Sequence, residues 1–95
     1  MLRIDSRPFG PNRVDLRLSG RLAEDGTTHL ARVVADHVDA ARSVHLDLAG
    51  LTALDHQGVG LLLGFARAGV RLARCPAFLT LWLRAEHRSR IRGPS

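Results

Sequence analysis

Arg13-Val14-Asp15-Leu16-Arg17-Leu18 puts every apolar side chain on one side of an extended chain and every charge on the other. A period of two is the signature of a strand with one face buried. Ser43-Val44-His45-Leu46-Asp47-Leu48 and Val70-Arg71-Leu72-Ala73-Arg74 repeat the pattern. A shorter alternation over Leu2–Ser6 precedes them, followed by the turn-rich Pro8-Phe9-Gly10-Pro11-Asn12. A connection that short predicts that the first two strands pair antiparallel.

The remaining segments carry the period of a helix. Leu30, Val33, Val34, Val38 and Ala41 form one apolar stripe, which predicts a helix over about Thr28–Ala41, with Glu24 to Thr28 supplying capping oxygens. Leu51–Leu54 reads as an apolar connector into a second helix from about Gln57 to Ala68, stopped by Gly69. Pro76 opens a third over about Pro76–Arg84 or a little further, with Phe78, Leu79, Trp82 and Leu83 on its apolar face. The expected fold is α/β, a single small domain with a four-stranded mixed sheet covered by helices in the order β-β-α-β-α-β-α. Helical crossovers bring in the last two strands. The expected core includes Val14, Leu16, Leu18, Val34, Leu46, Leu48, Leu62 and Leu72. One domain is expected over residues 1–86, with a basic, frayed tail over residues 87–95.

Composition removes several classes of function. The single cysteine, Cys75, excludes an internal disulfide framework and a four-thiolate zinc site. His29, His37, His45, His56 and His87 fall at scattered spacings, so no metal is expected. The longest apolar stretch, Val59 to Ala66, is interrupted by Gly60 and Gly64 and is far shorter than the ~20 residues of a membrane span. The first residues lack an apolar leader, so a soluble cytoplasmic protein is expected. The formal net charge is +5, and all 14 basic residues are arginine. Lack of lysine beside abundant Ala, Leu and Gly reads as GC-rich coding, which weakens the step from high charge to nucleic acid. The run of Arg84, Arg88, Arg90 and Arg92 has no recognition motif and little aromatic interleaving, so a solvated basic tail is expected rather than specific nucleic-acid binding.

The stretch from Val44 to Leu63 resembles the central motif of STAS domains, the fold of anti-sigma factor antagonists and of sulfate-transporter tails. Members typically read strand, Asp-Leu-Ser-Gly, apolar linker, Asp-Ser-Ser/Thr-Gly, then a helix rich in Gly and Leu. This chain has Asp47-Leu48-Ala49-Gly50, then Leu51–Leu54, then Asp55-His56-Gln57-Gly58. Leu18-Ser19-Gly20-Arg21-Leu22 resembles the family's second-strand ending, and Val70 to Leu83 fits its C-terminal half. The resemblance implies a non-enzymatic protein-binding module. Its partner would be an anti-sigma factor of the serine-kinase type or another STAS-containing assembly, with homodimerisation left open. An accessory subunit of a membrane transporter, for lipid or anion, is the alternative. No cofactor and no membrane insertion are implied.

The chain departs from the family where antagonists carry a phosphorylatable Ser or Thr before the motif glycine. That position is Gln57, which has no hydroxyl, so no switching is expected there. Asp55, His56, Gln57 and Gly58 are the expected partner-binding residues. Asp55 reads first as a plain helix cap, and His56 reads first as an exposed loop histidine and only then as a pH-sensitive or phosphoryl-accepting contact. Other chemistry finds little support. Cys75 ends a strand, where free cysteine is usually buried. Gly58-x-Gly60-x3-Gly64 lacks the Gly-Lys-Ser/Thr of a phosphate loop and is better explained by helix packing on the sheet. Asp47 and Asp55 fall on different elements, so they do not read as an acid/base pair.

Overall fold

A computed structural model describes residues 1–92, with side chains described through Ala85. The element order is β1 (Leu2–Pro8), β2 (Arg13–Leu22), α1 (Asp25–Asp39), β3 (Ser43–Leu54), α2 (His56–Arg67), β4 (Arg71–Ala73) and α3 (Ala77–Arg92). The four strands form one sheet in the order β1-β2-β3-β4. β1 is antiparallel to β2, whereas β2–β3 and β3–β4 are parallel, as two helical crossovers require. This is the expected mixed α/β sheet.

Alternation along β2 and β3 sets the core. Val14, Leu16 and Leu18 lie beside Val44, Leu46 and Leu48, all buried, and meet Leu30 and Val34 of α1 and Val59, Leu62 and Leu63 of α2. Leu79 of α3 is fully buried. Leu72, expected in the core, is half-buried: β4 is a three-residue edge strand with a neighbour on one side only.

Several boundaries differ from the sequence expectation. Leu51–Leu54 is strand rather than connector, because β3 continues alongside Gly20–Leu22. Register shifts between Arg17 and Ser19 and between Gly20 and Arg21 break the alternation, so Leu48, Leu51 and Leu54 all point inward at spacings of three. Gly50 sits at the first irregularity, where a Cβ would lie 2.7 Å from the Leu18 carbonyl oxygen and 2.9 Å from the Ser19 Cβ.

α1 begins at Asp25 and ends at Asp39, without the expected side-chain cap. Glu24 adopts φ 54°, and the entry is made by backbone turns instead, Gly26 N–H to Ala23 O at 3.0 Å and Thr27 N–H to Glu24 O at 3.0 Å. The helix closes on Ala41 at φ 60°, with Ala41 N–H donating to Val38 O and Arg42 N–H to His37 O, the Schellman arrangement. Ala41 is thus outside the helix, and Val38, in the last turn, is exposed rather than on the buried stripe. Gly69 closes α2 in the same way at φ 95°, as expected.

α3 runs beyond the expected Arg84 to Arg92, through residues 87–92 of the segment expected to fray. No glycine or proline interrupts it before Gly93-Pro94, and residues 93–95 lie outside the described residues. Phe78, expected on the apolar face, is exposed, because that face centres on Leu79 with Trp82 and Leu83 half-buried.

The glycines of α2 are not equivalent. Gly58 is buried, but Gly64 is exposed and a Cβ there would meet nothing within 4 Å, so helix packing does not explain it. Glycine in an exposed helical position costs about 0.5–1 kcal/mol relative to alanine. Gly64→Ala should therefore stabilise the fold by about that amount, read as a higher urea midpoint with an unchanged slope.

Candidate functional site

The end of β3 delivers the chain to α2 at Asp55. Asp55 is extended (φ −104°, ψ −177°), as an N-cap residue should be, and its Oδ1 accepts the Gly58 N–H at 2.8 Å. Val59 N–H donates to the Asp55 carbonyl at 3.0 Å, and Asp55 N–H reaches the Leu22 carbonyl at 3.3 Å. One residue thus ties the helix start to the end of β2. Asp55→Ala should remove the cap and cost about 1 kcal/mol, measured by equilibrium unfolding.

Gly58 has a steric reason to be glycine. A Cβ at this position would lie 2.5 Å from the Leu22 carbonyl oxygen and 3.2 Å from the Leu54 Cβ. The first turn of α2 lies directly on the sheet margin, so side chains at 56 and 57 turn outward. His56 and Gln57 are both exposed. A helix start presents backbone N–H groups and a partial positive charge of about half an electron, so the two polar side chains stand in a positive local field.

The structure brings all four expected residues, Asp55, His56, Gln57 and Gly58, into this one turn. It also adds one that the sequence reading missed in this role. The Trp82 ring of α3 meets the His56 ring edge-on, with centroids 5.3 Å apart and planes at 89°. His56 is therefore the first residue of a helix, held against a second helix, rather than a free loop side chain. Trp82 had no local signal for this, since its spacing is that of a core residue.

The other candidates lie elsewhere. Asp47 is on the opposite, polar face of the sheet, with Oδ2 3.7 Å from Arg17 Nε and Oδ1 3.6 Å from Arg74 Nε. It does not share a site with the capping Asp55. Burial pushes the Cys75 thiol above its usual value, which makes its thiolate scarcer. Among the described residues no group of three or more His, Cys, Asp or Glu could hold a metal, and no helix is long and apolar enough to cross a membrane. The side chains of Arg88, Arg90 and Arg92 lie outside the described residues.

The family model described as "Mlab, STAS domain" matches residues 6–89. The chain belongs to the STAS domain family. Among solved structures, this STAS domain is similar to the anti-sigma factor antagonist SpoIIAA in its unphosphorylated form. The TM-score is 0.64 at 22% identity, covering 97% of this chain and 100% of that one. A second similar structure is that of Mglu, with TM-score 0.57 and 24% identity over 78% of this chain but only 20% of the other. Both likenesses concern the fold. No curated protein matches the chain significantly.

Proposed function

We propose that this STAS domain is a non-enzymatic, cytoplasmic protein-binding module whose partner docks at the N-terminus of α2. The observation that carries this reading is the pairing of a tightly built helix start with two outward polar side chains, His56 and Gln57. Asp55 and Gly58 shape the turn, and His56 and Gln57 are what a partner touches. Such a surface acts by recognition, and the partner class suggested by the antagonist-like fold is an anti-sigma factor of the serine-kinase type.

Gln57 makes the contact permanent rather than switched. A phosphate at this position would add about −1.5 to −2 charges and remodel any interface built on it. Gln57 offers no hydroxyl, so the surface stays in the state an unphosphorylated relative would have. The same feature favours a second reading, a constitutive accessory subunit of a membrane transporter, which needs no switch. Intact-mass analysis after incubation with candidate serine kinases should show no added phosphate over residues 55–58.

The test is an amide-shift map with the partner recovered from native lysate and then purified. Perturbations centred on residues 55–59 and Trp82 are expected. Perturbations confined to β1 and the polar face of the sheet would overturn the docking site. A kinase-fold partner would favour the antagonist reading, and a transport ATPase the accessory one.

A further inference from the structure

Among the described residues, helices cover one face of the sheet and leave the other bare. The other carries the alternate residues of the same strands, and across it the register sets Arg7 opposite Asp15, Asp15 opposite His45, and His45 opposite Arg71. The next row sets Asp5 opposite Arg17 and Arg17 opposite Asp47. Parallel strands are ordinarily buried on both faces and apolar on both. Here the bare face of a largely parallel sheet is built from arginine and aspartate.

A cavity of about 550 Å³ opens over this face. Arg3, Arg7, Arg13, Arg17 and Arg74 line it, with Asp5, Asp15 and Asp47, so the lining carries two excess positive charges. Exposure separates the two signs most clearly around Asp47. The Asp47 side chain is only 19% exposed, whereas Arg17 and Arg74, which flank it, are 60% and 67% exposed. Arg3 is likewise more exposed than Asp5, its partner. Around Asp47 the carboxylate lies low beneath its guanidiniums, so an approaching ligand meets arginine first there, whereas Arg13 and Asp15 are about equally exposed, at 36% and 33%. Arg13 is fixed most firmly, donating to both Asp15 oxygens at 2.8 and 3.2 Å and lying 4.3 Å over the Phe9 ring. Arg7 has no carboxylate within ion-pair distance among the described residues.

We propose that this arginine-lined concavity is a second binding site, for a small anion bearing several phosphate groups. The volume falls within the roughly 300–1,000 Å³ usual for small-ligand sites and exceeds what one phosphate fills. Guanidinium forks suit phosphate oxygens bidentately, and forks already oriented by carboxylates lose little freedom on binding. Among the described residues no Phe, Tyr or Trp lines the cavity, so recognition is by charge rather than by base stacking. The site is on the far side of the sheet from the core that carries α2, so it does not depend on the proposed docking end.

Calorimetric titration with inorganic triphosphate tests it, with orthophosphate and a poly-glutamate peptide of equal charge as comparisons. Saturable one-to-one binding is expected, with Kd below about 1 mM at ~0.15 M salt. Arg7→Ala and Arg17→Ala should each weaken it by about tenfold. Arg7 is an exposed residue with no ion pair to lose among the described residues, so its variant keeps the fold, checked by an unchanged melting temperature. Gln57→Glu should leave triphosphate affinity unchanged, which separates this site from the partner surface. Absence of saturation, equal affinity in the arginine variants, or tighter binding of the acidic peptide would each overturn the proposal.

Discussion

Leu46→Ala should remove about 2–5 kcal/mol of stability, the range for truncating a fully buried leucine. Leu46 is 0% exposed and sits on β3, with Leu16 opposite it on β2 and Leu72 on β4. A central parallel strand cannot move to fill the gap without breaking both ladders, so the site collapses poorly and the loss should fall in the upper part of that range. A domain this small holds about 5–15 kcal/mol in total, so the variant would sit near its unfolding threshold. Urea denaturation of the two proteins at 25 °C decides the matter. A loss below about 1 kcal/mol would mean that β3 does not face the core as described. Leu72→Ala should cost less, since Leu72 is half-buried on the edge strand.

The same substitutions show which features a linear reading can reach. Leu46 was legible because strict alternation with His45 and Asp47 assigns its face without knowledge of any neighbour. Leu51 and Leu54 were not, because the irregularities in the β2–β3 pairing turn a period of two into a spacing of three. The start of α1 was misread for a related reason. Its sequence offers capping side chains, but a backbone turn through Glu24 at φ 54° does the capping instead, and the helix begins at Asp25, inside the segment expected to cap it.

The candidate site divides in the same way. Asp55, His56, Gln57 and Gly58 are contiguous, so a local motif was enough to find them. The reason Gly58 must be glycine lies in the Leu22 carbonyl, more than thirty residues earlier, and the partner of the His56 ring lies on α3. The arginine–aspartate rows of the open face need strand register, which no single segment carries: Arg17 reads as one polar residue of β2 until Asp5 and Asp47 are placed on either side of it.

Gln57→Glu should separate binding from folding. Glu at the second residue of α2 puts a negative charge beside the unpaired N–H groups of the helix start, a placement that is neutral or stabilising by about 0.3–1 kcal/mol. Gln57 is exposed, so the change neither opens a cavity nor buries a charge in the free protein. In the complex the same carboxylate would be desolvated against a surface that had matched a neutral amide. Such a mismatch costs several kcal/mol, which is about a hundredfold or more in Kd. The expected result is therefore an unchanged or slightly raised melting temperature together with near-complete loss of partner binding in calorimetry. Arg90→Ala gives the contrast, with affinity close to that of the parent protein. If Gln57→Glu bound as tightly as the parent while Arg90→Ala lost affinity, recognition would belong to the C-terminal arginines and not to the start of α2. If Gln57→Glu unfolded, the capping geometry built by Asp55 and Gly58 would be more fragile than a 2.8 Å hydrogen bond at a helix N-terminus implies.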